Sequence, residues 1–162
     1  MISYEEALSL ILSNAQPLGV EEVPLSALLG RALARPLAAA ADMPAFDNSA
    51  VDGFGVKLAD VERASESSPA RLELSGTIQA GDRGALSIAP GNTLKILTGA
   101  VVPADVEAVV MREFCQEQDG LVLVKRPAKP GENIRRRGEE FKAGEQILPT
   151  GTRVSPPVVG LL

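Results

Sequence analysis

Pro90-Gly91-Asn92-Thr93-Leu94-Lys95-Ile96-Leu97 sets a Pro-Gly-Asn turn before a short run with apolar residues at 94, 96 and 97, and this pairing decides the fold class. The run is too short for a helix of ordinary length and is bounded by turn residues, which is how a short buried strand reads. Three further runs repeat it: Arg71-Leu72-Glu73-Leu74-Ser75-Gly76, Ala108-Val109-Val110-Met111 and Leu121-Val122-Leu123-Val124. Turns separate them at Asp82-Arg83-Gly84 and Pro130-Gly131-Glu132, and the chain holds 15 Gly and 12 Pro, so the middle is β-rich with many turns. The polar stretch at residues 62–69 reads as a surface loop.

Outward from this middle the pattern changes. Ser3 followed by Glu6 is a capping-box signature. Ala7, Leu8, Ile11, Leu12 and Ala15 then recur with a period near 3.6, so a helix is expected up to Pro17-Leu18-Gly19. A one-turn helix is expected at residues 26–29, closed by Gly30, and a strand of small apolar residues at 31–40. Ser155-Pro156-Pro157 opens another helix, with a hydroxyl N-cap and proline in the first turn. The apolar residues 158–162 after it read as the start of a truncated downstream domain, spanning 156–162.

Composition excludes several function classes. The 162 residues carry 16 basic and 21 acidic side chains, a net charge of −5, which argues against a nucleic-acid binder. No apolar run approaches the length of a membrane span, and the acidic start of the chain is unlike a secretory signal. With one cysteine, Cys115, there is no internal disulfide, and a cytoplasmic protein is expected. The absence of histidine removes the Ser-His-Asp and Cys-His mechanisms and imidazole-ligated metal sites. Chemistry here rests on carboxylates, hydroxyls, Lys, Arg and backbone amides, and a metal would be a hard cation such as Mg²⁺ on oxygen ligands.

Three segments combine such groups with permissive backbone. Residues 43–56 place Asp47, Asn48, Ser49 and Asp52 between Phe46 and Phe54 in a chain with only four Phe, the pattern of an anchored loop. Taken alone it reads first as an Asx-turn cluster satisfying its own backbone. Leu97-Thr98-Gly99-Ala100 follows a strand, where a hydroxyl and backbone N–H groups can approach an anionic oxygen, or simply make a turn. Residues 131–144 alternate Arg135, Arg136 and Arg137 with Glu139 and Glu140 between glycines, fit for an oxyanion and a cation, or for a solvated turn of internal ion pairs. Cys115 lies beside an apolar strand with no activating partner and reads as structural.

In order, the three segments resemble the MoeA and gephyrin E-domain family of molybdopterin molybdenumtransferases, in their N-terminal region. Pro44-Ala45-Phe46-Asp47-Asn48-Ser49-Ala50-Val51-Asp52-Gly53 is similar to the family pattern Pro-x-Phe-Asp-Asn-Ser-Ala-Met-Asp-Gly. Thr98-Gly99-Ala100-Val101-Val102-Pro103 resembles Thr-Gly-Ala-x-x-Pro, and Gly131-Glu132-Asn133-Ile134-Arg135-Arg136-Arg137-Gly138-Glu139-Glu140 resembles Gly-x-Asn-Ile-Arg-x-x-Gly-Glu-Asp. Val51 stands for Met, Val101 for a common Pro, and Glu140 for Asp, one methylene longer.

The resemblance implies a mainly β fold with an N-terminal helix, made of coiled sheets and a barrel-like subdomain. It implies residues 1–42 with 128–155 as an elongated helix and strand subdomain, and 43–127 as a β-rich one. It implies the N-terminal part of an enzyme of molybdenum cofactor biosynthesis, which inserts molybdate into adenylylated molybdopterin and releases AMP with Mg²⁺, the fragment alone being inactive. The alternative is a non-catalytic dimerisation or scaffold module. The implied catalytic residues are Asp52, Thr98 and Glu140, with Asp52 and Glu140 toward the metal, and Asn48, Ser49, Gly53, Gly99 and Arg136 toward substrate. The implied partners are a second copy of the chain, the pterin substrate, the molybdopterin adenylyltransferase and molybdoenzymes, with neither nucleic acid nor membrane.

Overall fold

The computed structural model describes residues 2–16, 18–82 and 86–162. The chain divides into two compact units, Met1–Leu37 with Gln146–Leu162, and Ala38–Glu145.

The first unit opens with α1, Tyr4–Asn14. The expected capping box is present: the Ser3 hydroxyl accepts from the Glu6 N–H at 3.2 Å, and the Glu6 carboxylate accepts from the Ser3 N–H at 2.8 Å. None of α1 is buried, and of its apolar residues only Ala7 is partly covered. Of the expected stop at Pro17-Leu18-Gly19, Pro17 lies outside the described residues. The expected one-turn helix is a 3-10 turn, Leu25–Ala27, and Gly30 beyond it takes φ +83°.

The strand expected at 31–40 is broken. Residues 30–33 exchange backbone bonds with 151–154, and β1 is only Leu37–Ala38, paired with β10, Gln146–Leu148. Pro36 lies between the two stretches, and without an N–H it cannot carry a continuous ladder. Ser155 and the two prolines open α3, Pro156–Val159.

The second unit holds β2, Asn48–Ser49; β3, Gly53–Val56; α2, Leu58–Val61; β4, Ala70–Ile78; β5, Asn92–Ile96; β6, Ala108–Met111; β7, Cys115–Gln118; β8, Leu121–Val124; and β9, Ile134–Arg135. Six strands form one sheet in the order β6-β3-β5-β4-β8-β7, antiparallel except between β4 and β5. Its edge strands β6 and β7 are joined by one 3-10 turn, Arg112–Phe114. Flat, six strands set their edges roughly 24 Å apart, whereas the four residue steps from Met111 to Cys115 reach at most about 14 Å. The sheet therefore curls into a half-barrel, the mainly β, barrel-like form the sequence implied.

The core falls in two clusters, on opposite faces of the central strands β3, β5 and β6. Phe54, Val56, Leu72, Val122 and Val124 belong to one, and Ile78, Leu94, Ile96 and Val109 to the other. On β8 the expected alternation is visible, with Val122 and Val124 buried and Leu121 and Leu123 only partly so. Two strands were not legible as strands. β3 lies inside the segment read as a loop, because Gly53 and Gly55 carry no side chain to show a period. β7 is polar, but its register with β8 leaves Asp119-Gly120 as a two-residue turn with φ of 50° and 77°, a hairpin signal in the sequence.

The two units meet in sequence at 37/38 and 145/146. Residues 131–134 are tied to the half-barrel: the Gly131 N–H donates to the Glu107 carbonyl, the Val109 N–H to the Glu132 carbonyl, and the Ala50 N–H to the Asn133 carbonyl. The Asn133 amide also donates to the Val109 carbonyl at 2.8 Å. The turn expected at Asp82-Arg83-Gly84 lies partly outside the described residues.

Gly53 is where packing is tightest. A Cβ there would stand 2.2 Å from the Val110 carbonyl oxygen, which belongs to β6 and cannot swing aside. Gly53→Ala is expected to lower stability by about 1–3 kcal/mol, whereas Gly19→Ala, with nothing within 4 Å, stays near neutral. Urea unfolding of both variants checks this, and equal midpoints would refute it.

Candidate active site

The three segments singled out in the sequence meet in the second unit around β2. On one side β2 pairs antiparallel with β9, Asn48 opposite Arg135 and Ser49 opposite Ile134. On the other it is clasped by residues 99–102: the Gly99 N–H donates to the Ser49 carbonyl at 2.8 Å, the Ser49 N–H to the Ala100 carbonyl at 3.0 Å, and the Val102 N–H to the Asp47 carbonyl at 3.0 Å. Gly99 takes φ +80°, a conformation open to glycine at little cost, which lets the strand end turn here.

Ser49 is fully buried, and its hydroxyl donates to the Val51 carbonyl at 2.6 Å while accepting the Val51 N–H at 3.3 Å. That tight turn delivers Asp52 at the mouth of β3. Asp52 Oδ1 accepts two hydrogen bonds from Thr98, from its N–H at 2.9 Å and its hydroxyl at 2.8 Å. The Asp52 carbonyl is held by the Arg112 N–H at 3.1 Å. Among the described residues Oδ2 accepts no hydrogen bond, and the side chain is only half-buried. The Thr98 backbone N–H above all, then its hydroxyl, with the Arg112 charge helping, holds the Asp52 carboxyl below its ordinary pKa.

A second knot ties the arginine segment to the same loop. Asp47 accepts the Arg137 N–H at 2.8 Å and the Arg136 guanidinium at 2.6 Å, and Asp42 accepts the Ala143 N–H at 2.8 Å and the Arg137 side chain at 2.5 Å. The Arg137 backbone N–H chiefly lowers the Asp47 pKa, and the Ala143 N–H chiefly lowers that of Asp42. These partners are 89 to 101 residues apart in sequence, so spacing offered no signal for them.

The expected site residues therefore divide. Asp52, Thr98 and Gly99 come together. Asn48 and Gly53 are buried and Ser49 is wholly so; the Asn48 amide donates to the Phe46 carbonyl, and these three shape the loop. Arg136 is an exposed side chain already paired with Asp47. Glu140 is exposed, its N–H donates to the Met43 carbonyl at 2.9 Å, and among the described residues no hydrogen bond joins it to Asp52 or Thr98. Among the described residues no three Asp, Glu, Cys or His side chains gather around one metal position. No helix among them is long and apolar enough to cross a membrane.

Residues 2–162 match the family model of the MoeA N-terminal region, domains I and II. The chain belongs to this family. It is 37% identical over 159 residues to the molybdopterin molybdenumtransferase of Synechococcus elongatus, covering 96% of this chain and 40% of that protein. To the Bacillus subtilis enzyme of the same name it is 39% identical over 146 residues, 88% of this chain and 34% of that one. The fold superposes on the crystal structure of the molybdopterin biosynthesis MoeA protein of Pyrococcus horikoshii OT3 with a TM-score of 0.91 at 35% identity, over 100% of this chain and 43% of that one. The chain thus spans well under half the length of these relatives.

Two measurements test the electrostatics of this MoeA-type region. Carbon NMR titration is expected to place the carboxyls of Asp42, Asp47 and Asp52 below 3.8. Because the folded values are depressed, their stabilisation is complete above the unfolded pKa and is lost as pH falls through the folded ones. A carboxyl of this set titrating above its ordinary value would contradict the geometry. Burial pushes the Cys115 thiol up to about 12, so alkylation at pH 8 is expected to be slow in the folded chain and fast in urea.

Proposed function

We propose that this chain is the N-terminal part of an enzyme of molybdenum cofactor biosynthesis, one that inserts molybdate into adenylylated molybdopterin and releases AMP. Membership of the MoeA family supports the reaction class, and its molybdenumtransferase relatives carry more than half their length beyond the matched part. The observation that carries the reading is the Asp52 carboxylate, ionised, half-exposed, with one oxygen held by Thr98 and the other open.

Asp52 fits a share in binding Mg²⁺: an open carboxylate oxygen is a hard ligand, and Mg²⁺ is often held by one or two carboxylates together with phosphates and water. Bound there, the ion would supply neutralisation of charge developing on the phosphoanhydride. Asp52, kept ionised, orients what binds and donates no proton. Gly99 lends permissive backbone beside it, and Arg136 and Glu140 border the same loop system, Glu140 offering a free carboxylate to substrate or cation. The relatives carry more than half their length outside the matched part, so this region assayed alone is expected to release no AMP. In the cell the enzyme works as a cytoplasmic homodimer, fed by the molybdopterin adenylyltransferase and serving molybdoenzymes.

A second reading, a dimerisation or scaffold module without chemistry, is favoured by α1, none of whose residues is buried and whose Ile11 and Leu12 stand 67% and 64% exposed.

AMP release from adenylylated molybdopterin with Mg²⁺ and molybdate decides between them, measured on this chain and on the chain extended by its downstream reading frame. Release by the extended protein alone, lowered at least a hundredfold by Asp52→Asn, is expected, since removing one charged transition-state contact costs on the order of 10²–10³. Unchanged release after Asp52→Asn would take the chemistry away from this region.

A further inference from the structure

Thr98 has two donors, its backbone N–H and its hydroxyl, and both end on the same acceptor, Asp52 Oδ1, at 2.9 and 2.8 Å. A hydroxyl carries one hydrogen and a backbone amide one, so neither can donate to a second oxygen while these bonds stand. An anion binding Thr98 directly would have to displace a carboxylate from both. It would also come to rest against the carboxylate it displaced.

Both ends of this contact are held by backbone. The Thr98 end follows β5 into the turn where the Leu97 N–H donates to the Ile78 carbonyl, the Ala100 N–H to the Leu97 carbonyl and the Gly99 N–H to the Ser49 carbonyl. The Asp52 end is fixed by the Arg112 N–H on its carbonyl and by Gly53, wedged between β5 and β6. A half-exposed aspartate otherwise rotates freely about χ1, and a reacting carboxylate is useful only if its direction is fixed beforehand.

We propose that Thr98 is a positioning residue that acts through Asp52: its two donors fix the carboxylate by Oδ1 and leave Oδ2 as the one oxygen presented for binding. The proposal rests on the reading of Asp52 as the reacting carboxylate. It departs from a direct hydrogen bond between Thr98 and molybdate or phosphate. Thr98 is exposed, so replacing it opens no cavity, and Thr98→Ser keeps both donors while Thr98→Val keeps only the N–H.

Two readouts test it. In this chain, side-chain coupling constants of Asp52 are expected to report one χ1 rotamer in wild type and Thr98→Ser and an averaged set in Thr98→Val. In the extended protein, Thr98→Val is expected to lower kcat for AMP release on the order of tenfold, the worth of one hydrogen bond to a charged group. KM for adenylylated molybdopterin should hold, Thr98→Ser should restore kcat, and in an Asp52→Asn background Thr98→Val should cost nothing further. A single Asp52 rotamer in Thr98→Val, a raised KM, or losses that multiply with Asp52→Asn would overturn it. If Asp52→Asn leaves AMP release intact, the functional reading fails on its own, and the coupling constants still decide whether Thr98 orients Asp52.

Discussion

The second unit depends on the insertion of β3 between β5 and β6, at a distance only glycine allows. Gly53 faces the Val110 carbonyl with no room for a Cβ, and an added Cβ at Gly55 would stand 2.7 Å from Ile96. This approach places Phe54 and Val56 in one of the two core clusters. It also settles where the chain enters β3, and so where Asp52 stands relative to the end of β5 and Thr98. The geometry of the site follows from the packing of the strand behind it.

Magnitudes separate what holds the fold from what shapes the site. Fully buried Leu94, Ile96, Val56 and Val122 each contribute about 1.5–3 kcal/mol by leaving water. The Asp47–Arg136 and Asp42–Arg137 ion pairs each have an exposed arginine, and such pairs contribute roughly 0–1 kcal/mol. The Asp47–Arg136 and Asp42–Arg137 pairs are therefore organisers: with the backbone bonds beside them they set the arginine segment against the loop before Asp52. The site consists of exposed polar groups on a rigid apolar base, which keeps its carboxylates ionised and directed.

Much of the fold was legible. Turn residues around short apolar runs located β4, β5, β6 and β8, and Ser3 with Glu6 located the start of α1. The failures have physical causes. β3 hid behind its glycines, β7 hid behind polar side chains with Asp119-Gly120 as its only sign, and Pro36 broke the strand expected at 31–40. At the site, the resemblance singled out Asp52, Thr98 and Gly99, which meet. It also grouped Glu140 with them, and that residue hangs from the Met43 segment with no hydrogen bond to Asp52 among the described residues. The burial of Ser49 and the pairing of Arg136 with Asp47 were equally out of sight, since each depends on residues distant in the chain.

By itself the sequence determined the β-rich class, the capped N-terminal helix, a chemistry without histidine or paired thiols, and, through three ordered motifs, the family. These follow from local composition and periodicity, which act between neighbours in the chain. Only the tertiary structure decided that both Thr98 donors converge on one oxygen of Asp52, and that Arg136 and Arg137 pair with Asp47 and Asp42. Those outcomes depend on contacts 46 residues apart or more, whose partners are chosen by how the strands pack and which no short window of sequence contains.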